Sequence, residues 1–301
     1  MVALLVVLLF VVILFAAFAL SRSRGSGPTS GGASGGACKS ASCGQESLAA
    51  TPSRHLNAEE AQQARMSFTA RSKPDAVVFP TGPSFFFYNV HEYRNALGAD
   101  QSQQIAALVS KAARSGAEWV GLAEAPPDDR TRSALSEYPY SLITDNGGTH
   151  LTVAWKDPLA TAIVVPTTGS RNCIMLATQR RRVIVAHLEI GARPSPDDPT
   201  NATVAAANAR IRADNAAVRI EQLRLLLAQE PDVLIGDFNF APGEMEDFWM
   251  RTQGYVLASG SEPSTPFNRV DHCYVRTTAR AGPSALLPVA YSDHYPLVQV
   301  L

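Results

Sequence analysis

The chain has 301 residues, 46% of them hydrophobic, and a formal net charge of −1. That length suffices for one sizeable domain plus an appendage, and the near-neutral total excludes the broad basic footprint of a protein held to nucleic acid by charge alone. Seven basic and three acidic residues fall in 1–74, against nineteen and twenty-four in 75–301, and four cysteines are too few for a disulfide framework.

Val2 through Leu20 is uninterrupted apolar sequence. A run of about 20 such residues is long enough to cross a bilayer. Arg22 and Arg24 follow it, which places the remainder on the cytosolic side by the positive-inside rule. Residues 1–20 are therefore expected to be a single-pass membrane anchor. The alternative is a signal cleaved near Ala17-Phe18-Ala19, which would leave a secreted protein. Residues 21–75 are expected to be a flexible linker, because Gly25 to Gly36 is almost all glycine, serine and other small residues. Cys38 and Cys43 fall in it, whereas Cys173 and Cys273 fall in apparent strands and read as buried thiols. Residues 76–301 form the expected catalytic domain, a monomer. Asn201-Ala202-Thr203 is a glycosylation sequon that matters only if the domain is outside the cytosol.

Leu56 to Arg71 has modest helical character. Phe85 to Val90 is a compact aromatic run, short enough for a buried strand. Asp100 is a candidate N-cap for a helix with Ile105, Leu108, Val109 and Ala112 on its apolar face and Gly116 as its stop. Glu118 to Leu122 reads as the next strand and delivers Glu124. Leu151 to Trp155, Ala162 to Val165, Cys173 to Thr178 and Val183 to His187 follow as strands, with Arg180-Arg181-Arg182 as a solvated hairpin. Val204 to Gln229 is a long helix, whose expected buried face is Ala213, Ala216, Ala217, Ile220, Leu223 and Leu227. Val233 to Ile235, Val270 to Val275 and Leu297 to Leu301 are the last strands. The mixture suggests two packed sheets with helices outside, a layered α/β sandwich. Asn89, Glu124, His187 and Asp237 each stand at or just past a strand end, and Asp293-His294 just before the last strand, so loops at one end of a rigid sheet stack would gather them.

Six segments then carry a resemblance, in order: Tyr88-Asn89-Val90, Leu122-Ala123-Glu124-Ala125, Ala186-His187-Leu188-Glu189, Gly236-Asp237-Phe238-Asn239, Arg269-Val270-Asp271-His272-Cys273-Tyr274-Val275 and Ser292-Asp293-His294-Tyr295-Pro296. Together they resemble the endonuclease/exonuclease/phosphatase superfamily over about Phe85 to the C-terminus. The resemblance implies a deoxyribonuclease-I-like fold, a four-layer α/β sandwich of two packed mixed β-sheets flanked by helices. It also implies Mg²⁺ or Mn²⁺ as cofactor, with Glu124 as main ligand, supported by Asp293 and Asn89. Hard oxygen donors suit such ions. Asp237 would orient and deprotonate the attacking water. Asn239 and Asn89 would donate amide N–H to phosphate oxygens without adding negative charge. Asp271 would fix the tautomer of His294 and aim a donor at the phosphate. His187 would face the leaving-group oxygen, as general acid or phosphate contact, and His272 would be structural.

The chain departs from the pattern at Ala123 and Ala125 beside the metal glutamate. Where some members carry aspartate two residues after the asparagine, it has His91, then Glu92. A second metal or auxiliary ligand is left open by that change. A Pro/Asp-rich insertion runs from Arg193 to Asn201. The expected substrate is a phosphodiester, preferably of nucleic acid, in the manner of a nuclease or tyrosyl-DNA phosphodiesterase, with Arg193, Arg210 and Arg269 as candidate contacts. The alternatives are a lipid headgroup or inositol phosphate, with Phe240, Phe248 and Trp249 exposed at the mouth, and an inactive homologue used for binding.

Overall fold

Phe85-Phe86-Phe87-Tyr88 is apolar on both sides of the pleat, and in the computed structural model it forms a strand buried on both faces. The structure describes residues 56–301 apart from 147 and 195–200. The apolar segment 1–20, most of the linker and most of the 193–201 insertion lie outside the described residues. Among the described residues no helix is long and apolar enough to cross a membrane.

The first sheet contains β1 (Ser84–Asn89), β2 (Ala117–Ala123), β3 (Tyr140–Asn146), β4 (Thr149–Trp155), β11 (Ser284–Leu286) and β12 (Leu297–Val300), in the order β11-β12-β1-β2-β4-β3. The second contains β5 (Thr161–Val165), β6 (Cys173–Ala177), β7 (Arg182–His187), β8 (Val233–Asp237), β9 (Tyr255–Leu257) and β10 (Asp271–Arg276), in the order β5-β6-β7-β8-β10-β9. Each sheet is antiparallel except for one central parallel pair, β1 with β2 and β7 with β8. Phe85, Phe87, Val153, Val185, Ile235 and Cys273 fill the space between the sheets. The sheets approach so closely there that a Cβ on Gly121 would lie 2.8 Å from Val185 Cγ1.

Helix α1 (Ala58–Ala70) precedes the first strand. Helices α2 (Ser102–Arg114) and α3 (Asp129–Ala134) cover the outer face of the first sheet, where Ile105, Leu108 and Val109 pack on Phe86, Tyr88 and Val120. Helices α4 (Ala202–Leu227) and α5 (Met245–Thr252) cover the second, where Leu223, Leu226 and Met250 meet Ile184, Leu234 and Phe238. The result is the expected four-layer sandwich.

Two expectations are corrected. The buried face of α4 is rotated: Ala213 and Ala217 are exposed, and Ala216, Arg219, Gln222, Leu223 and Leu226 are buried. Arg219 and Gln222 point inward because they tie down neighbouring loops, which an apolar pattern does not reveal. Arg219 Nε pairs with Glu246 Oε1 at 2.7 Å, and its Nη1 donates to the carbonyls of Glu189 and Ile190.

The folded domain also begins earlier than Ala76. Asn57 and Glu60 form a capping box at the start of α1. Phe68 is fully buried and stacks on Tyr295 with ring centroids 4.2 Å apart. Lys73 N donates to Pro288 O, and Ala290 N to Ser72 Oγ. One aromatic ring and a few backbone bonds hold this segment, so its hydrophobic pattern is faint. A chain begun at Ser72 would leave Tyr295 uncovered.

Candidate active site

The two parallel pairs decide which end of the sandwich collects the polar residues. In the first sheet Asn89 of β1 lies in register with Ala123 of β2, and Glu124 follows. In the second, His187 of β7, Asp237 of β8 and Asp271 of β10 are register neighbours in one row across three strands. Gly236 is required beside that row: a Cβ there would lie 1.9 Å from Ala186 O. Glu124 and Asn239 turn out of their strand ends with φ of 54° each, a left-handed conformation uncommon outside glycine.

Asn89 joins the two sheets. Its Nδ2 donates to Glu124 Oε1 at 3.2 Å and to Asp237 Oδ2 at 3.1 Å. Its Oδ1 accepts from His91 N at 3.1 Å. Asp237 Oδ1 accepts from Asn239 N at 3.0 Å. Burial first, and then the Asp271 carboxylate, push the Asp237 carboxyl up to about 7. His294 Nδ1 lies 2.7 Å from Asp271 Oδ2, and His294 Nε2 is 3.9 Å from Asp237 Oδ2. Burial alone would lower the His294 imidazole, but the adjoining Asp271 carboxylate overcomes this and holds it well above its ordinary value.

His187 is almost wholly buried, with Nε2 3.6 Å from Glu124 Oε1 and 3.9 Å from Asp237 Oδ2. Burial, and next the charge of Arg171, hold it well below its ordinary value, so the ring is neutral at neutral pH. Arg171 Nη1 lies 3.0 Å from His187 Nδ1, and its buried Nε makes no hydrogen bond. Sequence reasoning misses Arg171. It stands in the irregular segment between β5 and β6, in no motif, and only the fold brings it to the site. Gln222 of α4 holds that segment: its Nε2 donates to Thr168 O at 2.8 Å while its Oε1 accepts from Glu189 N at 3.1 Å.

The remaining expected residues stand at the rim or in the core. Asp293 is one-third exposed and lies 3.3 Å from His91 Nδ1. Asn239 borders Asp237, but its Nδ2 donates to Leu188 O at 2.9 Å, so only one amide hydrogen stays available. His272 is structural as expected, with Nε2 against Phe240 O at 2.7 Å among Phe238, Phe240 and Tyr274, and burial lowers it to about 4. Arg269 is half-buried, and its Nη2 donates to the Ser259 carbonyl at 2.6 Å. Phe240 is core and Phe248 is exposed.

Donor atoms of Asp237, Asp271 and His294 lie within 4.8 Å of one another. Asp271 Oδ1 is buried and makes no hydrogen bond. With Glu124 and Asp293 nearby, this is an excess of carboxylate in a poorly solvated pocket, and a hard divalent cation would offset it. The carboxylate oxygens fit such an ion, whereas the His294 ring, holding its proton, supplies no ligand.

No curated protein sequence matches the chain. Solved structures with a similar fold include an endonuclease/exonuclease/phosphatase from Beutenbergia cavernae DSM 12333, with TM-score 0.51 and 16% identity over 72% of this chain and 70% of that one. The human Nocturnin catalytic domain gives TM-score 0.51 and 17% identity over 72% and 91%. Sphingomyelinase C from Streptomyces griseocarneus gives 0.50 and 16% over 72% and 98%. Likeness at these identities speaks for the fold alone. The profile of the Endonuclease/Exonuclease/phosphatase family matches residues 86–294, a span that runs from β1 to His294 and takes in every residue of the cluster. By that match the chain belongs to the Endonuclease/Exonuclease/phosphatase family.

Proposed function

We propose that the chain is a divalent-metal-dependent phosphodiester hydrolase acting on nucleic acid and tethered to a membrane by residues 1–20. The observation that carries the reading is Asn89 Nδ2, which ties Glu124 of one sheet to Asp237 of the other beside the His294–Asp271 pair. Glu124, Asp293 and Asn89 would hold Mg²⁺ or Mn²⁺, which when bound would polarise the phosphoryl oxygens and offset the charge that develops on them.

Asp237 accepts the proton of the attacking water. A carboxyl raised to about 7 is matched to that task near neutral pH. His294, oriented by Asp271 through Nδ1, presents Nε2–H to a phosphate oxygen. His187, being neutral, contacts phosphate as an uncharged donor. Arg171 beside it places a permanent positive charge near the leaving oxygen. Arg171→Gln should lower kcat/KM roughly tenfold or more, the loss of one charge-assisted hydrogen bond of about 1.5 kcal/mol. Steady-state kinetics check this, and an unchanged kcat/KM removes Arg171 from the site.

The test of the proposal is the purified full chain with Mg²⁺, with Mn²⁺ and with chelator against single-stranded DNA, double-stranded DNA, RNA, a 5′-tyrosyl oligonucleotide, sphingomyelin and an inositol polyphosphate. Hydrolysis of a nucleic acid that disappears with chelator is the expected result. Activity unaffected by chelator refutes the metal dependence. A second reading, a lipid or inositol phosphate ester, is favoured by Met245 and Phe248, which stand exposed one turn apart on α5. Cleavage confined to sphingomyelin or the inositol phosphate would establish it in place of the first.

A further inference from the structure

We propose that Gln222 is a positioning residue for the reaction: from the buried face of α4 it holds the connection that carries Arg171, and so keeps the guanidinium against His187. This rests on the hydrolase reading above, in which the charge of Arg171 stands near the leaving oxygen. Gln222 is wholly buried. Helices packed on a sheet ordinarily turn aliphatic side chains inward, and burying an amide is costly unless its hydrogen bonds are made. What Gln222 contributes therefore lies in its partners.

The amide hydrogens and the oxygen are all used. Nε2 donates to Thr168 O at 2.8 Å and to Thr167 Oγ1 at 3.2 Å, and Oε1 accepts from Glu189 N at 3.1 Å. A carbonyl on one side and an N–H on the other fix which way the amide faces. Thr167 and Thr168 belong to the irregular connection 166–172 between β5 and β6, which carries Arg171, and Glu189 lies just past His187 at the end of β7. Gln222 thus binds both segments that meet where Arg171 Nη1 lies 3.0 Å from His187 Nδ1.

The two segments do not depend on it equally. The one after His187 has other holders on the same helix: Arg219 Nη1 donates to the carbonyls of Glu189 and Ile190, and Asn215 both accepts from Ala192 N and donates to Ala192 O. The connection 166–172 is also tied by Ser170 Oγ to Glu189 Oε2 at 3.1 Å and by Asn172 Nδ2 to Asp145 O at 3.3 Å, but both bonds are exposed, where water competes for the same groups. At its tip the guanidinium meets Thr149 Oγ1 and His187, while its buried Nε makes no hydrogen bond. That tip stays in place only while the backbone behind it does. Losing the Gln222 amide therefore loosens 166–172 first and leaves the strand that carries His187 intact. A charge aimed at a transition state loses much of its effect when displaced by about an ångström.

The test is a double-mutant cycle of Gln222→Met and Arg171→Gln in the full chain, on whichever substrate of the panel above the parent cleaves best. Gln222→Met should lower kcat about tenfold with KM within about twofold of the parent. In the Arg171→Gln background the same change should cost less than about twofold, because its target is already gone. In chelator, amide hydrogen exchange of 166–172 should quicken in Gln222→Met while that of β7 keeps the parent rate. Equal losses in both backgrounds, a parent-like kcat, or equally faster exchange in β7 would each show a residue that only supports the fold, and overturn the proposal. Thr167→Val covers the case in which Gln222→Met melts too low to assay: at a half-exposed position it removes one Nε2 partner, and kcat should fall about threefold. A parent-like kcat there overturns the proposal too. Arg171→Gln with unchanged kcat/KM overturns it while leaving the hydrolase reading intact, and a parent that cleaves nothing in the panel overturns both.

Discussion

Asp237→Asn is expected to lower turnover by roughly a hundredfold or more, the usual contribution of a positioned general base. The substitution keeps the shape and the acceptor for Asn239 N, removes the proton-accepting function, and replaces the oxygen that accepts from Asn89 Nδ2 by an amide donor. Near-normal hydrolysis by the purified variant would sink the assignment. The same variant should also lose the pH dependence of stability that this carboxyl brings. The Asp237 carboxyl, ordinarily near 3.8, is raised in the folded protein to about 7, because burial and the Asp271 carboxylate disfavour its charge. The folded state therefore binds this proton more tightly than the unfolded one, which stabilises the protein below about pH 4. That contribution drains away as pH rises through the folded value, because the folded protein must then carry a buried charge. Asparagine carries none. In chelator, the melting temperature of Asp237→Asn relative to that of its parent should rise from about pH 4 to about pH 7. A relative melting temperature that falls with pH would contradict the electrostatics of the site.

His294→Ala and Asp271→Ala should each lower kcat by about a hundredfold to ten-thousandfold, and the double variant should be little worse than the poorer single one. The two side chains meet at 2.7 Å, so removing either one is expected to undo the other's contribution. Asp271→Asn gives a finer readout. The Asp271 carboxylate is what holds His294 above its ordinary value, so neutralising it lets His294 lose its proton at lower pH. The alkaline limb of the kcat profile should move to lower pH. Multiplicative losses in the double variant, or an alkaline limb that stays in place, would show that the pair does not work together.

The fold was legible where short apolar runs end in a polar residue. Phe85 to Asn89, Trp119 to Glu124, Val183 to His187 and Val233 to Asp237 are such runs, and two parallel pairings put all four polar ends on one side of the sandwich. Pairing itself is a non-local property, so the row His187, Asp237, Asp271 had to be seen in the sheet. Arg171 was illegible because its segment has no periodicity and its partners are remote in sequence. Arg219 and Gln222 were illegible for the opposite reason: their helix is obvious, but a buried polar face has no apolar stripe to mark it. His91 was visible as a departure, though its contact with Asp293 joins residues at opposite ends of the domain.

Phe68 meets Tyr295, the residue next to His294. Tyr295 N donates to Ser264 O, and Ser264 Oγ accepts from the amides of Val270 and Asp271. Contacts through Tyr295 and Ser264 thus connect the first described helix to the His294–Asp271 pair, and a shared opening of the two is the expected consequence. Elements that open together share one free energy of opening, whatever their separate exposure. Hydrogen exchange should report equal protection for the amides of α1 near Phe68 and for those of Asp271 and Tyr295, and the faster fraying of an independent terminal helix would show the two uncoupled. Equal protection would mean that loosening the helix at Phe68 also loosens the segment that carries His294.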